Sequence, residues 1–172
     1  QDVLKNGESS PYYDWFYDLP DPLVLPHDSE VPQYTCFAYV ANMPKTNTAC
    51  PALQAYFCEV GQYWLREFDV DGWRLDVANE VDDSFLRVFR KAVKAIKSDA
   101  MIIGEVWENS EHYMTGDMVD GAMNYDFRRF ATQYFAENIL TAAEFDLRLS
   151  SLLMRYKKQM LPGQLNLLDG HD

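Results

Sequence analysis

Apolar residues recur every three to four positions in several stretches of the chain, which predicts amphipathic helices. The predicted helices cover residues 51–68, 82–96, 127–137 and 141–153. Trp64 and Phe68 lie on the periodic face of the first helix, so we expect both side chains in the core. Thr141 and Glu144 have the spacing of a capping box, which marks the start of the last helix.

Short apolar runs between these helices predict β-strands. The runs lie at 70–77, 101–104, 119–123 and 165–168, and a further extended piece lies at 35–40. Strands that alternate with helices indicate an α/β fold with a parallel sheet. A complete eight-unit barrel needs about 250 residues, so this chain has the length of about half of one. Residues 1–50 hold six of the eight prolines and show no period, which predicts a long irregular segment.

Polar side chains follow the predicted strands, at the edge of a parallel sheet where active sites are built. These residues are Asp76, Glu105, Asn124, His171 and Asp172. Acidic groups that converge at such an edge suit glycoside hydrolysis, which uses one carboxylate and one carboxylic acid. Taken singly, an acid after a strand is more often a helix cap or a solvated group than a catalytic residue.

Arg74 lies two residues before Asp76, so both side chains point to the same face of a strand. A guanidinium beside a carboxylate holds that carboxylate ionised, although such a pair can also be purely structural. Glu105 would need the opposite environment to act as an acid. We therefore expect burial and neighbouring carboxylates to raise its pKa.

Composition narrows the range of partners. The 172 residues carry 15 Lys and Arg against 27 Asp and Glu, a net charge of −12, which argues against nucleic acid and anionic membranes. Aromatic residues make up 15%, and sugars stack on such rings. The three cysteines (Cys36, Cys50 and Cys58) are odd in number and have no C-x-x-C spacing, so we expect neither a disulfide framework nor a zinc site. Free thiols suit a reducing compartment, and we therefore expect a cytoplasmic location.

Four segments resemble motifs of the α-amylase superfamily, glycoside hydrolase family 13. They are MPKTN at 43–47, GWRLDVANE at 72–80, GEVW at 104–107 and NLLDGHD at 166–172, in that family's order. The first segment and the VANE ending are similar to the neopullulanase, cyclomaltodextrinase and maltogenic amylase branch. The resemblance covers almost the whole chain. It implies a partial TIM (β/α)8 barrel, roughly strands 4 to 7 with their helices.

The resemblance also implies a division of the chain. Residues 1–50 would be an irregular loop or insertion after barrel strand 3, and residues 51–172 the central part of the barrel. The family's first motif and its eighth strand are not in this sequence. We therefore expect an excerpt that is inactive alone and that self-associates through unpaired strand edges.

The resemblance implies a role for each matching residue. Asp76 would be the nucleophile, Glu105 the acid and then the base, and Asp172 the residue that binds the hydroxyls of the reacting sugar. The residues implied in substrate binding are Arg74, His171, Asn79, Glu80 and Trp107. A retaining mechanism predicts a separation of about 5–5.5 Å between the two carboxyl groups of Asp76 and Glu105.

The implied activity is cleavage of α-1,4 bonds, with some α-1,6 cleavage, in maltodextrins, cyclodextrins or pullulan. The alternatives are an α-1,6-glucosidase-type or general α-amylase relative, and a non-catalytic glucan-binding module. Glu108 and Asp169 depart from the usual residues of the branch and could change linkage preference. Some amylases bind structural calcium, but no run of ligands indicates it here, and we expect no cofactor.

Overall fold

The computed structural model describes residues 1–27 and 30–171, which group into two compact units, Gln1–Phe57 and Cys58–Asp172. The first unit begins with helix α1 (Asp2–Asn6) and continues mainly as turns and irregular chain. Two isolated antiparallel bridges, Phe16 to Thr46 and Cys36 to Pro44, connect its segments.

The extended piece predicted at 35–40 is wrong as a strand. The chain forms a 3-10 turn at Phe37–Tyr39 instead. Ala38 and Tyr39 have φ angles of 49° and 60°, in the left-handed region that a β-strand excludes.

Within the described part of the chain, four parallel strands form one sheet in the order β1-β2-β3-β4. They are β1 (Gly72–Leu75), β2 (Met101–Gly104), β3 (Gly121–Asn124) and β4 (Leu165–Asn166). Each strand pairs with the next one in sequence, so every connection is a crossover that returns the chain to the same edge. The predicted α/β class and parallel sheet are confirmed, although the outer two strands are shorter than the apolar runs.

One helix before β1 and three within the crossovers lie close to their predicted positions. They are α2 (Pro51–Phe68), α3 (Asp83–Ile96), α4 (Tyr125–Ala131) and α5 (Ala142–Arg155). Asp82 caps α3, because its carboxylate accepts from the amides of Ser84 and Phe85. The predicted capping box at α5 is present. The third predicted helix is divided, because α4 passes into a π-helical turn at Thr132–Ala136.

The core of the second unit lies between the sheet and its helices. Its members include Leu65, Leu86, Phe89, Val93, Ile102, Val119 and Ala122. The prediction that Trp64 and Phe68 are core residues is wrong, since they are 43% and 58% exposed. The face of α2 that meets α3 carries Gly61 and Leu65 instead. A Cβ atom on Gly61 would lie 2.7 Å from the Phe89 ring, so the two helices approach closely there.

Candidate active site

The carboxyl ends of β1 and β2 place the predicted catalytic residues side by side. Leu75 pairs with Gly104, and the pairing continues past the strands, since the Glu105 amide donates to the Leu75 carbonyl at 2.8 Å. The Ala78 amide then donates to the Glu105 carbonyl, also at 2.8 Å. Backbone hydrogen bonds therefore fix Glu105 beside the turn that carries Asp76.

The guanidinium of Arg74 connects the two acids. Its Nη2 lies 2.7 Å from Glu105 Oε1, and its Nη1 donates to Asp76 Oδ1. The Glu105 side chain is 3% exposed, whereas the Asp76 side chain is 75% exposed. One cation thus contacts both a buried carboxylate and a carboxylate that is open to solvent.

Three further donors hold the carboxylate of Glu105. Its Oε2 accepts the Val77 amide at 2.8 Å, and its Oε1 accepts Trp107 Nε1 at 3.1 Å and the Tyr125 hydroxyl at 3.2 Å. Val77 is β-branched yet has φ 42° and ψ 52°, a strained left-handed conformation. Such strain costs on the order of 1–3 kcal/mol and is typical of functional sites.

This environment determines the protonation of Glu105. Burial is the largest single influence and raises its pKa, but the donors Val77 and Trp107, the charge of Arg74 and the Tyr125 hydroxyl together outweigh burial. The pKa of Glu105 is therefore lowered, and the expectation of a raised pKa is wrong for this structure. The error arose because the residues that surround the carboxylate are donors and a cation rather than other acids.

The pKa of Arg74 moves in the opposite direction. Burial, the largest influence, lowers it, but Asp76 and Glu105 raise it by a larger combined amount. Arg74 therefore stays charged whenever its two partners are ionised.

An aromatic pair borders the carboxyl group. The rings of Trp107 and Tyr125 stack with centroids 5.4 Å apart and planes 28° apart, and Trp107 is 59% exposed. Tyr125 is positioned by Asn124, which caps α4 through the Phe127 amide at 3.1 Å. Asn124 also donates to Asn166 Oδ1 at 2.8 Å, which joins the ends of β3 and β4.

Comparison with known proteins assigns this arrangement to a family. Residues 24–172 match the alpha amylase catalytic domain. The chain belongs to the alpha-amylase family. A cyclomaltodextrinase of Geobacillus thermopakistaniensis (strain MAS1) is 48% identical over 172 residues, which is 100% of this chain and 29% of that protein. The intracellular maltogenic amylase of Bacillus subtilis (strain 168) is 45% identical, over 100% of this chain and 28% of that protein.

Other members of the alpha-amylase family extend the comparison. Neopullulanase 2 of Thermoactinomyces vulgaris is 41% identical, over 100% of this chain and 29% of its own length. A solved cyclomaltodextrinase structure superposes with a TM-score of 0.92 at 44% identity and covers 99% of this chain and 29% of that one. The chain therefore spans less than a third of the length of these relatives. The resemblance to the neopullulanase, cyclomaltodextrinase and maltogenic amylase branch is confirmed.

The other residues predicted to bind substrate or to act in catalysis lie on two segments of the alpha-amylase motifs. Asn79 and Glu80 are exposed on the 3-10 turn Ala78–Glu80. The contacts described for Asp76 and Glu105 do not include Asn79. His171 is exposed on the segment after β4, and Asp172 lies outside the described residues. Arg128 of α4 holds this segment, because its Nη2 is 3.2 Å from Asp169 Oδ1.

Sequence reasoning missed Tyr125. The polar residue at the end of β3 was identified as Asn124, and Tyr125 directly follows it. The signal for Tyr125 is its position one residue beyond the end of β3, just as Glu105 lies one residue beyond the end of β2. Its contact with Glu105 depends on the pairing of β2 with β3, which places Gly104 opposite Ala122.

Two further observations concern ions and membranes. Over residues 1–27 and 30–171, no group of three or more His, Cys, Asp and Glu side chains is arranged to hold a metal ion. Of the helices that the structure describes, none has the length and apolar character that a bilayer crossing requires.

Proposed function

We propose that this chain belongs to a retaining glycoside hydrolase that cleaves α-1,4-glucosidic bonds, with some α-1,6 cleavage, in maltodextrins, cyclodextrins or pullulan. The observation that carries the proposal is the single guanidinium of Arg74 between the exposed Asp76 and the buried Glu105. Two acids in different environments are what a two-step displacement at a sugar carbon requires. The names of the relatives support an α-glucan as the substrate class.

In the first step, an oxygen of the Asp76 carboxylate forms a bond to the anomeric carbon. The bond from that carbon to the glycosidic oxygen breaks, and the leaving oxygen takes the proton of the Glu105 carboxyl. In the second step, Glu105 takes a proton from water while the water oxygen attacks the same carbon, and the bond to Asp76 breaks. Two inversions leave the anomeric configuration unchanged.

The other predicted residues have supporting roles in this proposal. Asp172 and His171 bind hydroxyl groups of the reacting ring. Trp107 offers its exposed ring to the leaving sugar, and Asn79 and Glu80 shape the same side of the cleft. Arg74 donates to Asp76 Oδ1 and orients that carboxylate for attack.

The direction of the Glu105 pKa has a kinetic consequence. Glu105 must hold a proton to act as the acid, and its pKa in the free protein is lowered. We therefore expect kcat/KM to decline as pH rises through that pKa, so that catalysis by the free enzyme is favoured on the acidic side.

The test compares acid and amide variants of the full-length protein on maltotriose and β-cyclodextrin. Asp76→Asn and Glu105→Gln should each lower kcat by more than about a thousandfold, because each removes a group that acts in the transition state. Matched controls are the exposed residues Asp146 and Glu67, changed to Asn and Gln, which should keep full activity. Proton NMR of the first product formed should show the α-anomer.

Azide separates the two roles. With an activated aryl α-glucoside, Glu105→Ala should yield the α-glycosyl azide, because azide replaces water in the second step. Asp76→Ala should yield the β-glycosyl azide, because azide replaces the nucleophile in the first. Full hydrolysis by either amide variant would contradict the proposal. Glucan binding by the unmodified protein without any turnover would favour a non-catalytic module.

We also propose a cytoplasmic location. The three cysteines are free in the structure, which suits a reducing compartment, and the Bacillus subtilis relative is named as intracellular. Immunodetection after cell fractionation would test this. Recovery in the culture medium would contradict it.

A further inference from the structure

Tyr125 contacts the acid–base carboxyl in two ways. Its hydroxyl donates to Glu105 Oε1 at 3.2 Å, and its ring stacks on Trp107, which itself donates to the same oxygen at 3.1 Å. The residue opens α4, whose start is fixed by the Asn124 cap. The tyrosine is thus held by the end of β3 and reaches across to the residue that follows β2.

We infer that Tyr125 is a positioning residue for Glu105, holding its Oε1 directly and through Trp107 so that Oε2 carries the proton given to the leaving group. The inference rests on the proposed function and extends it to a residue that no motif selected. Tyr125 acts through Glu105 and through the indole, so its own bonding is unchanged in the reaction.

The distribution of donors determines which oxygen carries the proton. Oε1 accepts hydrogen bonds from Trp107 and Tyr125 and lies 2.7 Å from the Arg74 cation, whereas the partner described for Oε2 is the Val77 amide. An oxygen that already accepts two donors and faces a cation has no lone pair left to hold a proton. A proton on Glu105 therefore resides on Oε2, and it passes from there to the glycosidic oxygen as the bond to the sugar carbon breaks.

The groups that set the charge of Glu105 come from both sides of the carboxyl. Arg74 of β1 contributes a positive charge, Asp76 lies on the far side of that guanidinium, and Tyr125 of α4 contributes a hydroxyl. Removal of the hydroxyl destabilises the ionised form of Glu105 more than the protonated form, because a hydrogen bond to a charged oxygen is the stronger one. The pH dependence of the acid step is therefore the readout that distinguishes positioning from general structural support.

The first variant is Tyr125→Phe in the full-length protein, which removes the hydroxyl and keeps the ring stack. The alkaline limb of kcat/KM on maltotetraose should move to higher pH by about half a unit, because one hydrogen bond to the anion is lost. The pH-independent value of kcat/KM on maltotetraose, reached below that limb, should fall by roughly threefold to tenfold, because the carboxyl is less well positioned. An aryl α-maltoside with a dinitrophenol leaving group needs no acid in the first step, so its kcat/KM, which reports that step, should change by less than about twofold.

The matched control is Tyr134→Phe, which removes a hydroxyl from a tyrosine whose ring stacks on Phe145 at 4.6 Å, outside the contacts described above. Its pH profile should coincide with that of the unmodified protein. A second variant replaces Tyr125 with 3-fluorotyrosine, which keeps the shape and makes the hydroxyl a stronger donor. The alkaline limb should then move to lower pH, opposite to Tyr125→Phe.

The outcomes separate this inference from the proposed function. If the Asp76 and Glu105 variants lose hydrolysis but both Tyr125 variants keep the unmodified pH profile, the positioning role is refuted and the function stands. If the Asp76 and Glu105 variants hydrolyse glucans normally, the proposed function itself fails. If Tyr125→Phe does not fold, the fluorotyrosine variant still tests the positioning role, because it keeps both the ring and the hydroxyl of Tyr125.

Discussion

Asp120 lies at the amino end of β3, and its removal should lower the free energy of unfolding more than removal of most other partly exposed side chains. Its carboxylate is 17% exposed and contacts Arg90 Nη1 at 2.7 Å and Lys94 Nζ at 2.8 Å, both from α3. It also accepts the Ile102 amide at 2.9 Å. The residue therefore joins a helix and two strands at the edge of the sheet opposite the candidate active site.

The magnitude follows from these three partners. Breaking a buried ion pair by removing one side costs about 3–5 kcal/mol, because the partner charges are left uncompensated. Arg90 and Lys94 are 20% and 22% exposed, so water relieves part of this penalty and the lower end applies. We expect Asp120→Ala to lower the free energy of unfolding by about 3 kcal/mol. Asp120→Asn keeps an acceptor for Ile102, and we expect a loss of about 1–2 kcal/mol.

The assay is urea unfolding of the full-length protein, followed by fluorescence, with hydrogen exchange at the Ile102 amide. Asp117→Ala is the matched control, because Asp117 also pairs with an α3 arginine, Arg87, at 2.6 Å. Hydrogen bonds from Thr115 and then Arg87 lower the pKa of Asp117 to about 2. However, its side chain is 53% exposed, so solvent screens the pair and the midpoint should barely move.

The stabilisation by Asp120 should depend on pH in a defined direction. Burial is the largest influence on Asp120 and raises its pKa, but Lys94, Arg90 and the Ile102 amide together lower it. The stabilisation is therefore fully present above the unfolded pKa of about 3.9 and is lost as pH falls through the lower native pKa. The gap between Asp120→Asn and the unmodified protein should narrow below about pH 4. The reasoning is refuted if Asp120→Ala costs no more than Asp117→Ala at pH 7.

Three other outcomes are expected. Arg74→Lys should lower kcat/KM by at least about a hundredfold with the fold intact by circular dichroism, because a single ammonium cannot bridge two carboxylates as a guanidinium does. Gly121→Ala should prevent soluble expression, since its Cβ would lie 1.6 Å from the Gly163 carbonyl oxygen, whereas Gly116→Ala, with nothing within 4 Å, should lose less stability. The 172-residue chain alone should be inactive on maltotriose and associate in light scattering, because β1 and β4 are edge strands of the described sheet. A monodisperse monomer with a cooperative melt would contradict that last expectation.

Local sequence signals predicted the elements of this fold well. The helix from Pro51 to Phe68 and the Thr141 capping box have their predicted positions, because periodicity and caps are properties of neighbouring residues. The exposure of Trp64 could not be predicted in the same way. Apolar spacing shows that a face can be buried, but the residues that cover it belong to other elements, and here Gly61 and Leu65 lie on the contacting face.

The position of the candidate site at one edge of the sheet could be predicted from the sequence, but its electrostatics could not. Arg74, Asp76 and Glu105 all follow from strand ends and from the period of two within a strand. The lowered pKa of Glu105 depends on a backbone amide at Val77 and on a hydroxyl at Tyr125, which lies 20 positions along the chain. Such an environment results from strand register and turn geometry, and a single sequence carries no direct record of either.

Glu105 and Asp120 show why burial and a shifted pKa do not by themselves identify a catalytic acid. Both carboxylates are largely buried, both accept a backbone amide, both contact an arginine, and in both the donors outweigh burial. Over residues 1–27 and 30–171, the carboxylate that Arg90 and Lys94 pair with is that of Asp120, so this cluster joins α3 to the sheet. The guanidinium at Glu105 is shared with Asp76, whose side chain is 75% exposed. The second carboxylate on the same cation, rather than the buried acid, is therefore what distinguishes the candidate active-site edge of this sheet from the edge that Asp120 stabilises.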